Sequence, residues 1–130
     1  MIEVTAAIIR DGEKILICQR PKGKNCELLW EFPGGKIESG ESGEQCIVRE
    51  CLEELDITVK PLKKVFDVTD AYTDRAIHLR FYECEISSGV PIPKEHQAIC
   101  WITKESLKQY SFCPADQKMI EGYFYDSVSD

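Results

Sequence analysis

The chain has 130 residues, 43% of them hydrophobic, enough for one core and too few for two domains of ordinary size. With 23 acidic against 16 basic residues the net charge is −7, which disfavours direct nucleic-acid binding through phosphates but still permits a polyphosphate ligand if a divalent cation stands between the like charges. Residues 2–9 follow the initiating Met without a basic n-region or cleavage site, and no apolar run approaches the ~20 residues a membrane span needs, so the expectation is a single cytoplasmic domain over 1–130 with no membrane association.

Val4, Ala6 and Ile8 alternate with other residues as in a strand, and Asp11-Gly12 turns the chain into a returning strand over 15–18. Residues 21–26 read as a polar loop. The apolar run Leu28-Leu29-Trp30-Glu31-Phe32 is broken by Pro33-Gly34-Gly35, and Ser39-Gly40 makes a second break. A helix follows, with Ser42 as its cap and Gln45 completing a capping box. Asp56 ends its pattern and Pro61 excludes a long continuation. Strands are expected over 65–68, 76–86 (Ile77, Leu79, Phe81 and Cys84 alternating with polar residues) and 98–102. Thr103 reads as the cap of a short helix. Residues 115–125 read as a terminal helix with Met119, Ile120 and Tyr123 on one face. Mixed strands flanked by helices give an α/β or α+β domain.

The seven cysteines, Cys18, Cys26, Cys46, Cys51, Cys84, Cys100 and Cys113, are odd in number and include no CxxC. Neither a disulfide framework nor a zinc site fits, and they read as small core residues.

At about 100° per residue, Ile47, Val48, Cys51, Leu52 and Leu55 fall within roughly 140° of the helix circumference, and Glu50, Glu53 and Glu54 within roughly 100° on the other side. Neighbouring carboxylates on one helix face repel by about 0.2–0.5 kcal/mol per pair. Such a face is either merely solvated, with Arg49 pairing to Glu53 as a surface ion pair, or a seat for a hard cation that takes oxygen ligands and bridges to substrate phosphates. The Gly-rich turn before the helix adds a backbone carbonyl to the second reading.

The surrounding spacing decides between these readings. From Gly35 to Ile57 the chain resembles the Nudix box, G-x5-E-x7-R-E-U-x-E-E-x-G-U with U aliphatic, matched by Gly35, Glu41, Arg49, Glu50, Glu53, Glu54 and Ile57. Cys51 replaces an aliphatic residue, a mild change. Asp56 replaces a glycine that suits a left-handed helix exit, a conformation Asp tolerates better than most. The run Trp30-Glu31-Phe32-Pro33-Gly34-Gly35-Lys36-Ile37-Glu38 is similar to the MutT-like branch.

The resemblance implies the Nudix fold, a mixed β-sheet between helices, and Mg2+-dependent hydrolysis (Mn2+ as the alternative ion) of a nucleoside triphosphate to monophosphate and pyrophosphate. It implies Glu50, Glu54 and the Gly35 carbonyl as metal ligands, with Glu95 approaching the same metal. Arg49 would orient the carboxylates and pair with Glu41. Glu53 and Glu95 are alternative acceptors of the proton from the attacking water, and His96 reads as structural. Arg20, Lys36 and Gly34 would contact the substrate. Asp116, where relatives acting on oxidised guanine nucleotides carry an asparagine, would read the base, or it simply caps the last helix. An ionised Asp only accepts hydrogen bonds and suits the amino group of cytosine. The resemblance therefore favours CTP, dCTP or 5-substituted cytosine nucleotides, with 8-oxo-dGTP as the alternative. Other nucleoside diphosphate derivatives, or a non-catalytic nucleotide-binding module, stand further off. The expected assembly is a monomer or homodimer.

Overall fold

The computed structural model describes residues 1–72 and 75–125. Strands β1 (Ile2–Asp11), β2 (Lys14–Gln19), β3 (Trp30–Glu31), β4 (Gly34–Lys36), β5 (Thr58–Tyr72), β6 (Arg75–Ser88) and β7 (Ala98–Thr103) join helices α1 (Gly43–Leu55) and α2 (Pro114–Met119). The path through the sheet runs β3-β2-β1-β6-β5, with β4 added to β1 and β7 to β2. β1 and β6 pair in parallel over Ile2–Ile77 to Arg10–Glu85, and the other pairings are antiparallel. The result is the mixed α+β sheet expected from the sequence.

Both faces of the central strands are covered, so β1 buries consecutive residues. Ala6 and Ile8 pack with Phe32, Phe81, Met119, Ile120 and Phe124 on one face. Ala7 and Ile9 pack with Ile47, Cys51, Leu55 and Tyr82 under α1 on the other. The period-2 alternation of β6 divides its residues between these layers. Ile77, Leu79 and Phe81 belong to the first, while Cys84 belongs with Tyr82 to the second and does not share the face of the other three.

Helix α1 starts and stops as its sequence requires. The Ser42 hydroxyl accepts from the Gln45 N–H and the Gln45 side chain accepts from the Ser42 N–H, a reciprocal capping box. Asp56 leaves the helix in the left-handed region at φ 58°, ψ 37°, its N–H bonded to the Leu52 carbonyl. Leu52, placed in the apolar arc by periodicity, is 49% exposed. The packed seam is narrower and runs through Ile47, Cys51 and Leu55.

Two elements differ from their sequence patterns for tertiary reasons. The strand expected over 65–68 lies inside a far longer β5, which accommodates Pro61 at one of three register irregularities. The terminal helix is α-helical only to Met119, and Ile120–Tyr125 is wound as a π-helix. A side-chain carbon at Gly122 would strike the Phe66 ring, and the Tyr123 hydroxyl donates to Glu83 on β6 at 2.8 Å. Contacts with the sheet therefore set the winding of this last turn. The short helix after Thr103 is a 3-10 helix, Lys104–Gln109, and Thr103 caps it without a side-chain hydrogen bond. Among the described residues no helix is long and apolar enough to cross a membrane.

Candidate active site

β1 and β4 set the glycine turn against α1. Thr5 pairs with Gly35 across these strands. The Thr5 hydroxyl donates to the Cys46 sulfur at 3.1 Å and lies 3.4 Å from the Gly35 carbonyl, and the Cys46 thiol lies 3.4 Å from the same carbonyl. Two buried side chains thus fix the direction of that oxygen. A side chain at Gly35 would strike the Glu50 carboxylate, so the glycine is what lets the turn close on α1.

Arg49 ties the carboxylates together. Its Nε and Nη2 donate to the two oxygens of Glu41 at 2.7 and 3.0 Å. Its Nη1 donates to Glu50 at 2.9 Å and Glu53 at 3.3 Å, and Nη2 also reaches the Lys36 carbonyl at 3.0 Å. The hydrogen bonds from Arg49 hold the Glu41 carboxyl down at about 2. Glu54 has no such partner. It is buried, and its Oε1 has no hydrogen-bond partner among the described residues, with His96 Nε2 at 3.9 Å. Burial pushes its carboxyl up to about 10, with the neighbouring Glu50 and then the charges of Glu31 and Glu95 adding to the shift. A buried acid crowded by acids beside a fixed carbonyl could hold a hard divalent cation: Glu50, Glu54 and the Gly35 carbonyl offer oxygens, and Oε1, without a partner among the described residues, would gain one in such an ion.

A cavity of about 500 Å³ opens beside this set, within the usual range for small-molecule sites. Arg20, Gly34, Gly35, Glu54, Glu95 and Asp116 line it, and Glu31 and His96 join them. Lys36, Arg49, Glu50 and Glu53 are not among its lining residues. Lys36 is exposed at the end of β4, and Glu53 is turned toward Arg49 on the outer side of α1. Asp116, in the first turn of α2, is buried and accepts the Phe32 N–H at 3.0 Å. Burial pushes its carboxyl well up and the Glu31 charge adds to this, against the opposing effects of the Phe32 N–H and Arg20. Glu31 lies 2.9 Å from His96 Nε2 and 3.6 Å from Arg20 Nη1. Glu31, Cys113 and Asp116 also bring ligand-type atoms within 4.8 Å of one another. Sequence reasoning passed over Glu31, although a lone charge inside an apolar run was a signal for it.

The mixed sheet sets a glycine turn against a carboxylate-bearing helix beside a cavity of small-molecule size, and the class this arrangement belongs to is given by its relatives. The NUDIX domain family profile matches residues 4–122, and the chain belongs to the Nudix hydrolase family, whose members generally use divalent metal. It is 41% identical over 123 residues to the CTP pyrophosphohydrolase of Escherichia coli, covering 95% of this chain and 91% of that protein. It is 35% identical to the 8-oxo-dGTP diphosphatase of the same organism, covering 92% and 93%. The solution structure of the E. coli ORF135 protein superposes with a TM-score of 0.85 at 38% identity, covering 99% of this chain and 92% of that one.

Proposed function

We propose that the protein is a Mg2+-dependent nucleoside triphosphate pyrophosphohydrolase acting on CTP, dCTP or 5-substituted cytosine nucleotides, yielding the monophosphate and pyrophosphate with water. The observation that carries this reading is one cavity lined by buried Asp116 together with Gly35 and Glu54, so that a group suited to a base and groups suited to a metal and phosphates face the same space. The relative named CTP pyrophosphohydrolase supports the choice of base. The family match over residues 4–122 supports one Nudix domain for the chain; residues 73–74 and 126–130 of the expected 1–130 span lie outside the described residues.

Glu50, Glu54 and the Gly35 carbonyl would hold the ion. Bound there, Mg2+ (or Mn2+, which takes the same oxygen ligands) would neutralise phosphate charge and acidify the attacking water. Arg49 orients Glu50 and, through Glu41, fixes the loop to α1. Glu95 lines the cavity near enough for its charge to reach Glu54, which favours it over Glu53 as the group that accepts the proton of water. Arg20 and the Gly34 backbone on the cavity wall meet the phosphates, whereas Lys36, exposed outside the cavity, drops from the expected contacts. Asp116 reads the base. Burial favours the protonated form of this carboxyl, which can both donate and accept, and with Glu31 beside it the pair can serve a ring nitrogen and the exocyclic amino group of cytosine. The raised Asp116 carboxyl also suits a guanine edge, and this favours 8-oxo-dGTP as the second reading.

The test is pyrophosphate release from CTP, dCTP, 5-methyl-dCTP, dGTP and 8-oxo-dGTP with Mg2+. Cytosine nucleotides should lead in kcat/KM. If 8-oxo-dGTP leads, the second reading takes over, and absence of pyrophosphate from all five overturns both. Asp116→Asn should move preference toward guanine, and an unchanged ranking removes Asp116 from base recognition.

A further inference from the structure

The segment between β6 and β7 is clamped on both sides of His96. Ile92 N–H donates to the Leu55 carbonyl and Lys94 N–H to the Glu54 carbonyl, each at 3.0 Å, and Gln97 N–H donates to the Gln19 carbonyl at 2.9 Å. Backbone bonds to the end of α1 and to the end of β2 thus fix where Glu95 and His96 sit. The His96 side chain is 5% exposed, and His96 lines the cavity. Its Nε2 lies 2.9 Å from Glu31 Oε2 and 3.9 Å from Glu54 Oε1. Only the first distance is that of a hydrogen bond. Nδ1 is buried and has no hydrogen-bond partner among the described residues.

A carboxylate accepts hydrogen bonds and donates none. A ring proton on Nε2 therefore completes the bond to Glu31, whereas a proton on Nδ1 would be a buried donor without an acceptor. The same Glu31 oxygen lies 3.6 Å from Arg20 Nη1, and oxygens of Glu31 and Asp116 lie within 4.8 Å of one another. We propose that His96 is a positioning residue for base recognition: its Nε2–H holds one oxygen of Glu31 and so presents that carboxylate beside Asp116 to the nucleotide base. The bond serves the base and not the metal, because Glu54 stands beyond hydrogen-bonding distance of the same nitrogen. Without that N–H, Glu31 is free to turn toward Arg20, and the base loses one of its two carboxyl partners.

The kinetic consequence rests on the cytosine-nucleotide reading above; the position of the ring proton does not. The chain has two histidines, so nitrogen-15 spectra of the full, histidine-labelled protein without nucleotide contain two rings, and the one that remains in His78→Gln is His96. Its proton should sit on Nε2 with Nδ1 bare, and a proton on Nδ1 overturns the proposal. Glutamine carries its amide nitrogen as many bonds from the backbone as His Nε2, and asparagine as many as His Nδ1. His96→Gln should therefore keep KM for CTP within about twofold of wild type, while His96→Asn should raise it about tenfold with kcat within about threefold. The preference of His96→Asn for CTP over dGTP should narrow by about the same factor, and its Mg2+ dependence should stay that of wild type. A ring that only filled the gap between these elements would leave the ranking of bases unmoved. Equal KM values for the two variants, an unchanged ranking, or a loss that follows Mg2+ instead of the base overturns the proposal. If the wild type hydrolyses no nucleotide, the hydrolase reading fails, and the nitrogen spectra still decide whether His96 donates to Glu31.

Discussion

A side-chain carbon at Gly35 would collide with the carboxylate of Glu50, the end of a flexible side chain, whereas one at Gly34 would collide with the Thr5 carbonyl and Ala6 Cα in the backbone of β1. Adjacent glycines thus protect different things. In Gly35→Ala the Glu50 side chain can rotate away, leaving the fold intact and displacing a proposed ligand. The expected outcome is a melting temperature within about 3 °C of wild type, since the added strain is under about 1 kcal/mol, with turnover down about 100-fold. In Gly34→Ala the strand itself must move, at a cost of about 1–3 kcal/mol or more. Thermal melts beside pyrophosphate assays separate the two; equal melting temperatures for both variants would contradict the assignment.

Arg49 serves Glu41, Glu50, Glu53 and the Lys36 carbonyl from one planar fork. A lysine keeps the charge but loses the paired geometry toward Glu41. Arg49→Lys should therefore weaken Mg2+ activation by about 10–100-fold while far-ultraviolet circular dichroism stays unchanged. Wild-type dependence of rate on Mg2+ in this variant would remove Arg49 from positioning the carboxylates.

The parts of the molecule legible in sequence are those made by neighbours in the chain. The Ser42–Gln45 capping box, the Asp56 exit and the spacing from Gly35 through Glu41 to Glu54 are local chemistry, and the structure carries them as read. Glu31 and His96 touch although 65 positions apart, and no local pattern announces that meeting. The same limit explains Leu52. Periodicity gives the angle of a side chain about its helix, but the width of the neighbouring sheet decides which angles are covered. It also explains Ile120–Tyr125, where Phe66 and Glu83, far away in sequence, set the winding.

Asp56 occupies a left-handed backbone position at φ 58°, where the family motif carries glycine. An L side chain there costs roughly 1–2 kcal/mol, and somewhat less for Asp. Asp56→Gly should raise stability by about 0.5–1 kcal/mol, read as a shift of the urea midpoint at constant slope, with kcat/KM unchanged because Asp56 does not line the cavity. Asp56→Ala should lower stability instead. If both substitutions move the midpoint in the same direction, the helix exit is not what limits stability here.

Glu54 gives the metal-free protein a pH dependence of definite sign. Its folded carboxyl is held up at about 10 against an ordinary 4.5. Between those values the folded chain keeps a proton that the unfolded chain has released. The stability this contributes is therefore complete below about pH 4.5 and is lost as pH rises through the window toward 10, with a slope of at most about 1.4 kcal/mol per pH unit. A divalent cation takes the place of the proton as the partner of the ionised group. Urea unfolding between pH 6 and 9 with chelator should show stability falling as pH rises. Saturating Mg2+ should flatten that dependence, and Glu54→Gln should flatten it without metal while abolishing turnover. A Glu54→Gln protein that keeps the wild-type slope would place the proton elsewhere, and one that keeps wild-type turnover would remove Glu54 from the metal site.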